Sequence, residues 1–251
     1  MLPAASSRPS AELSKAVAVR AMFARIVPRY DLVNRLMSLG MDRRWRRLAV
    51  AAAQPQGAVA LDAATGTGDL ITELERQGSR MVVGADFCPE MVFAAAAKLG
   101  RAPHRGLLAA DVLQLPFPDS QFDCIVNGFL LRNVANLDRA FEEFRRVLKP
   151  GGRLVCLDLT PAPRWLRPLL WPYFALFVPL LGGLISGDFA AYRYLPASVH
   201  SHPQADELCR RMVNAGLEQA SYRRLNLGTI ALHLAYKPAV ARQPLAPPDT
   251  T

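Results

Sequence analysis

Short, mostly apolar runs alternate along this chain with longer stretches whose apolar residues recur every three to four positions. Residues 11–26 carry Ala16, Val19, Ala21, Phe23 and Ile26 at helical spacing, and Pro28 ends that helix. A second helical stretch covers 41–53. A regular rhythm follows. The run at 58–63 (AVALDA) predicts a buried strand, 69–77 a helix, 81–86 a strand and 89–99 a helix. Residues 107–111 form a weaker third strand and 122–128 a fourth. Asn136 is placed to cap a helix over 136–148. The turn Lys149-Pro150-Gly151-Gly152 then leads into a fifth strand at 153–159. After an apolar interval, a helix at 204–215 stops at Gly216, and strand-like runs at 218–225 and 230–236 close the pattern. Strands alternating with helices predict an α/β fold: a mostly parallel sheet, here of seven strands, with helices on both faces.

At 251 residues the chain suits one well-filled domain over 11–240. Residues 1–10 form a loose tail without the apolar core of a signal peptide, and the Pro-rich 241–251 forms a disordered one. The interval 161–198 reads as an apolar cap. Within it, 19 residues from 168 to 186 carry no charge, long enough for a membrane span. Pro168, Pro172, Pro179 and the Gly182-Gly183 pair predict a broken helix, which favours a cap or an interfacial segment over a span. The net charge is +9, and only Lys15, Lys98, Lys149 and Lys237 are lysines, so arginine supplies 26 of the 30 basic residues. Arg43, Arg44, Arg46 and Arg47 flank Trp45 in the densest cluster. That excess suits a coding bias or an anionic surface equally. No basic run is long enough for a nucleic-acid arm. Cys88, Cys124, Cys156 and Cys209 stand far apart, without Cys-x-x-Cys spacing, which fits a reducing cytosol.

The chemistry concentrates where strands end. Leu61-Asp62-Ala63-Ala64-Thr65-Gly66-Thr67-Gly68-Asp69 runs from a strand through a two-glycine turn into a helix, whose N-terminal N–H groups face any ligand there. Such a turn alone has an equally good steric explanation. Asp86 closes the second strand 24 residues after Asp62, and Asp111 closes the third 25 residues later. Helix capping explains one such acid well and three less well, whereas a carboxylate ending the second strand can accept ribose hydroxyls. The loop lacks the lysine of a triphosphate cradle, and Ile71 stands where a dinucleotide fingerprint needs glycine. A nucleoside cofactor without phosphates, such as S-adenosylmethionine, fits the loop better. No catalytic motif of nucleic-acid methyltransferases follows the fourth strand, so nucleic acid is not an expected partner.

Three segments then become specific. Residues 112–159, the opening stretch 23–47 (FARIVPRYDLVNRLMSLGMDRRWRR), and Ala191-Tyr192-Arg193-Tyr194-Leu195-Pro196 followed by His202-Pro203 resemble the menaquinone/ubiquinone-biosynthesis C-methyltransferase family over 22–237. The resemblance implies a class I methyltransferase (Rossmann-like) fold with an N-terminal helical lid and an apolar cap after the fifth strand. It implies S-adenosylmethionine contacts at Thr67, Asp86, Asp111 and Val112, with Gly66 and Gly68 shaping the loop; Asp62 at the first strand end and Asn127 and Gly128 at the fourth join them as cofactor-binding candidates. Relatives often carry Ser or Thr where this chain has Gly128, and Asn127 is the candidate to supply that hydrogen bond.

The implied reaction is methylation of a ring carbon of a lipid-tailed quinol, which requires alignment of carbon, methyl and sulfur and help in removing a phenolic proton. Arg132 and Asn133 follow the fourth strand. The resemblance suggests that Arg132 acts through water on a quinol oxygen, oriented by Asn133 and Asp86. Stabilising a phenolate is the easier role for an arginine, and pairing with an acid is the plain alternative. Tyr30, beside Asp31 in the lid, is a candidate for a substrate hydrogen bond or simple packing. His200 and His202 lack a third metal ligand nearby, so no metal is expected. Trp165, Trp171, Tyr173, Phe174 and Phe177 suit either a cap core or a groove for a prenyl tail. With Arg164 and Arg167 they suggest peripheral contact with the cytoplasmic face of a membrane. The sequence leaves open a homodimer, a naphthoquinol or benzoquinol ring, a soluble hydrophobic substrate, and a non-catalytic scaffold.

Overall fold

The computed structural model describes residues 10–239. The predicted tails therefore lie outside the described residues, apart from Ser10. Helices α1 (Ser10–Ile26), α2 (Tyr30–Met37) and α3 (Asp42–Ala53) precede the sheet. The alternating body is β1 (Val59–Ala63), α4 (Asp69–Arg76), β2 (Met81–Asp86), α5 (Pro89–Leu99), β3 (Arg105–Ala109), β4 (Phe122–Gly128), α6 (Leu137–Val147) and β5 (Leu148–Leu159). Then come α7 (Arg167–Pro172), a π-helical turn at Tyr173–Phe177, α8 (Val178–Ser186), α9 (Phe189–His200), α10 (Ala205–Asn214), β6 (Glu218–Leu225) and β7 (Ile230–Tyr236).

The seven strands lie in the order β3-β2-β1-β4-β5-β7-β6, all parallel except β7. Every residue of β1 is buried, as a central strand covered on both faces requires. On one face Trp45, Ala49 and Val50 of α3 pack with Leu70, Ile71 and Leu74 of α4. Phe141 and Phe144 of α6 pack with Leu208 and Met212 of α10 on the other. The predicted cap Asn136 does accept a hydrogen bond from the Arg139 N–H, at 3.1 Å. From β1 the chain winds outward to β3, then returns to β4 and winds the other way. The crevice of an open α/β sheet therefore falls outside the carboxyl ends of β1 and β4.

Four elements differ from the sequence pattern. The third strand lies two residues earlier than predicted, because its pairing follows β2 from Val82↔Arg105 to Asp86↔Ala109. Asp111 thus lies beyond the strand, on a bridge to Gln114. The fifth strand starts at Leu148, so the expected turn at 149–152 is its irregular first part. Helix α1 ends at Ile26, just before Pro28, as predicted, but the sequence pattern missed α2, into which the 3-10 turn holding Pro28 leads. The cap helix is also not broken by its prolines. Arg167–Ser186 is helical throughout 20 residues. Pro168 falls in the first turn, where its missing N–H costs little, and the π turn after Pro172 widens the register that its ring would obstruct.

Lid and cap form one helical layer. Ile26 and Val33 pack with Ala191 and Tyr192, joined by Phe23, Tyr30 and Ile185. Gly182 and Gly183 let α8 lie flat on α9, since a Cβ at either would overlap the rings of Tyr192 and Phe189. This layer covers the carboxyl edge of the sheet.

Candidate active site

Two cavities meet beneath the helical layer, and Tyr30 and Phe129 line both. The first, of about 120 Å³, lies at the β1–β4 switch point. Gly66, Asp86, Asp111, Val112 and Gly128 form its wall, with Phe87, Met91 and Leu113 as apolar neighbours. Asp86 holds this wall together. Its Oδ2 accepts the Gly66 N–H at 2.8 Å, and its Oδ1 accepts the Cys88 N–H at 2.9 Å. Burial pushes the Asp86 carboxyl up from its ordinary range, and those two backbone bonds work against the shift. Asp111 braces the next loop by accepting the Leu113 N–H at 2.9 Å. Two carboxylates beside an apolar slot, with Arg20 the only cation on the wall among the described residues, suit ribose hydroxyls and adenine and leave little to hold phosphates.

Four other expected cofactor residues do not line either cavity. Asp62 is fully buried and ties β1 to the glycine loop, accepting the Thr65 Oγ1–H at 2.6 Å. Its other oxygen has no partner among the described residues, and burial pushes its carboxyl up to about 7. Thr67 turns toward the lid, donating to Asp31 Oδ1 at 2.6 Å. Gly68 adopts φ +87° at the start of α4, where a Cβ would lie 2.6 Å from Leu99; its conformation serves helix packing. Asn127 is buried and donates to Cys156 Sγ at 3.1 Å, so it is turned into the sheet rather than toward the cofactor cavity.

The second cavity, of about 300 Å³, is mostly apolar. Met37, Met41 and Trp45 line one side, and Leu170, Tyr173 and Val178 of the cap line another. Its cations are Arg46 and Arg132, and each has a carboxylate partner. Arg46 pairs with Asp42 and, at 3.5 Å, with Asp69. Arg132 Nη1 donates to Asp158 Oδ1 at 2.8 Å and to the Phe129 carbonyl at 2.7 Å. Both guanidinium groups also lie over the Phe129 ring, at 5.6 and 5.7 Å from its centroid. Phe129 itself has φ +61°, a left-handed conformation that a bulky residue rarely adopts outside functional sites. Asn133 lines the first cavity and donates to the same Phe129 carbonyl at 3.1 Å. The acid paired with Arg132 is thus Asp158, whereas the bonds of Asp86 run to the backbone N–H groups of Gly66 and Cys88. Tyr30 is kept a neutral phenol by burial, which outweighs the opposing fields of Arg132 and Arg46.

The remaining candidates separate. His200 is exposed at the end of α9, whereas His202 is buried with no partner for Nε2 among the described residues and its pKa lowered by burial. No metal-binding cluster of His, Cys, Asp or Glu occurs among the described residues. Trp165 and Trp171 are exposed, Tyr173 and Phe177 stack at 5.4 Å, and the Phe174 side chain lies outside the described ones. Sequence reasoning overlooked Asp158, Arg46 and Phe129. Asp158 closes the fifth strand much as Asp86 closes the second, and Arg46 stands four residues after Asp42, so both left a signal. A phenylalanine in the left-handed region leaves none.

Fold, switch-point cavity and donor set together define an S-adenosylmethionine-dependent class I methyltransferase. A solved S-adenosylmethionine-dependent methyltransferase from Aquifex aeolicus shares the fold with a TM-score of 0.57 at 18% identity, over 82% of this chain and 97% of that one. The sequence is more particular: residues 11–237 match the model of the ubiE/COQ5 methyltransferase family, and the chain belongs to that family. It is 48% identical to a demethylmenaquinone methyltransferase of Thermus thermophilus, over 86% of this chain and all of that protein. It is 39% identical to a ubiquinone/menaquinone biosynthesis C-methyltransferase, UbiE, of Geobacter sulfurreducens, over 87% of this chain and 88% of that protein.

Proposed function

We propose that this protein methylates a ring carbon of demethylmenaquinol in respiratory quinone biosynthesis. The observation that carries this reading is the junction of two unlike cavities at Tyr30 and Phe129, one walled by carboxylates for an adenosyl group and one apolar and larger. When bound, S-adenosylmethionine supplies an electrophilic methyl group on a sulfonium. Transfer would join that methyl to the quinol ring carbon in place of its bond to sulfur, with loss of one ring proton, so the task left to this chain is to align the ring and stabilise charge on its hydroxyl oxygen. Arg132 and Tyr30 border the place where a quinol hydroxyl would lie. A cation there stabilises the developing phenolate, and a neutral phenol can donate to it. Because each arginine carries its own carboxylate, the cavity suits a neutral quinol better than a carboxylated precursor.

A tailed substrate also accounts for the outer surface. Trp165, Leu169, Trp171, Leu180 and Leu184 of the cap region are more than half exposed, with Arg164 and Arg167 beside them. Gly182 and Gly183 bind α8 to α9, which favours a helix lying on the interface over one crossing the bilayer. Peripheral attachment to the cytoplasmic face follows as part of the same proposal. The experiment is to supply the purified protein with labelled S-adenosylmethionine and, in parallel, demethylmenaquinol and a demethylated benzoquinol. Methylated menaquinol is expected. Transfer to the benzoquinol alone would reassign the substrate, and cofactor binding without transfer to either would leave the scaffold reading. Flotation with anionic liposomes tests the surface: protein that stays at the bottom would refute attachment.

A further inference from the structure

We propose that Asp158 is the positioning residue for Arg132, holding its guanidinium against the quinol oxygen while cancelling its charge. This rests on the quinol reading of the apolar cavity. Asp158 lines neither cavity, so it acts through Arg132. It stands at the carboxyl end of β5, one residue beyond the Gly128↔Leu157 pair and beside the turn that carries Phe129. Its Oδ1 accepts both Arg132 Nη1 and the Leu159 N–H at 2.8 Å, and its Oδ2 lies 3.4 Å from the Arg132 backbone N–H. One carboxylate thus grips the arginine at its head and at its root. The Phe129 carbonyl takes the second Nη1 bond, and it can do so because Phe129 is held at φ +61° with its N–H on the Leu157 carbonyl at 2.7 Å.

The side chains of the pair are only 8% and 1% exposed. A buried ion pair is a weak source of stability, since desolvation consumes most of its attraction. Its place on a cavity wall therefore calls for another explanation. A lone guanidinium beside a sulfonium would repel the cofactor, whereas a compensated one does not. It still presents N–H donors to an oxygen that gains charge during methyl transfer. Tyr194 and His202 lie in the field of the pair, and Tyr30 and Arg46 share the cavity wall. Among the described residues the hydrogen bonds to Asp158 come from Arg132 and the Leu159 N–H rather than from these four.

Positioning and charge give opposite signs in one titration. The probe is 4-nitro-1-naphthol, whose absorbance reports its ionisation, bound to wild type, Asp158→Ala, Asp158→Asn and Arg132→Gln. Alanine frees Arg132, so bound naphthol should ionise at higher pH than on wild type, as on Arg132→Gln. Asparagine can still accept from Nη1 but leaves the cation uncompensated, so ionisation should move to lower pH. Quinol turnover should fall roughly 30- to 100-fold in Asp158→Ala. It should fall no further in the double variant with Arg132→Gln, because the two act as a unit. Affinity for S-adenosylmethionine, read by calorimetry, should stay within about threefold of wild type and certifies folding. Should the alanine variant not fold, the asparagine shift decides alone. An asparagine variant with unmoved or raised naphthol ionisation overturns the proposal, as do losses that multiply in the double variant. Variants that shift naphthol ionisation as described, with a wild type that methylates neither quinol, refute the substrate reading and spare Asp158. A protein that binds no naphthol overturns both.

Discussion

Replacing Asp62 by asparagine should stabilise the protein at alkaline pH and leave it nearly unchanged in acid. Asp62 is wholly buried at the end of β1, one oxygen on Thr65 and the other without a partner, and its carboxyl is pushed from 3.8 up to about 7. Burial is the chief cause; the neighbouring Asp86 adds to it, while the Thr65 bond and Arg46 oppose it. Between these two values the folded protein keeps a proton that the unfolded chain has released. The folded state binds more protons, so stability falls as pH rises. The contribution of Asp62 is complete below about pH 4 and lost by about pH 8. At about 1.4 kcal/mol per pH unit, the linkage integrates to about 4 kcal/mol, an upper figure because the site can relax or admit water. Asparagine still accepts from Thr65 and puts an N–H donor where the carboxyl carries its proton, but it never ionises. Urea unfolding of both proteins, followed by circular dichroism from pH 4 to 8.5, gives the stability difference, and subtraction removes every other titrating group. The advantage of Asp62→Asn should grow with pH, by about 2 to 4 kcal/mol in total. A difference that stays flat over this range would mean that Asp62 is ionised in the fold, and the reasoning would fail.

Three further outcomes follow from the same geometry. Lys98 Nζ bridges Asp31 of the lid at 2.8 Å to Asp69 of α4 at 2.5 Å, so Lys98→Met should speed release of S-adenosylmethionine about three- to tenfold, measured by stopped-flow fluorescence. An unchanged rate would show that the bridge does not hold the lid. Gly182→Ala should force the Tyr192 ring aside and cost about 1 to 3 kcal/mol, seen as faster hydrogen exchange in α8 and α9 with β1 and β4 unaffected. Tyr30→Phe should lower turnover about tenfold and leave the pH profile unchanged below pH 9, because Tyr30 is a neutral phenol throughout that range. A profile that loses an alkaline limb would instead give Tyr30 a titrating role.

What could be read from the chain alone follows the range of each interaction. Strands β1, β2 and β4 are largely apolar runs covered on both faces of the sheet, so composition betrays them. α2 escaped notice because Pro28 reads as a stop, although here it only tightens one turn between two helices. The prolines of the cap misled in the same way: a breaker tells where a backbone hydrogen bond is missing, and the π turn at Tyr173–Phe177 supplies a different one. The acids are more instructive. Asp62, Asp86 and Asp111 gather at one sheet edge as strand-end spacing foretold. Spacing says which edge a carboxylate occupies, but not whether its oxygens face a ligand, a backbone N–H or a threonine. Asp86 and Asp111 reach the cavity wall, and Asp62 faces inward.

The deeper limit lies in charge compensation, which crosses elements that are distant in sequence. Arg132 and Asp158 stand 26 residues apart, one in the turn after β4 and one at the end of β5, and Lys98 meets Asp31 across 67 residues. Neither pair is announced by local pattern, yet together they set the character of the site. A class I fold offers a carboxylate-rich edge to any adenosyl cofactor. Cavities that share Tyr30 and Phe129, with every arginine on the apolar side already paired, narrow the second ligand to something neutral and largely hydrophobic. The chemistry asked of such a ligand is nucleophilic attack by carbon, which a quinol acquires only as its hydroxyl loses a proton. A compensated guanidinium answers that need without repelling the sulfonium beside it. The selectivity for a neutral ring and the help given to its ionisation therefore come from the same ion pair.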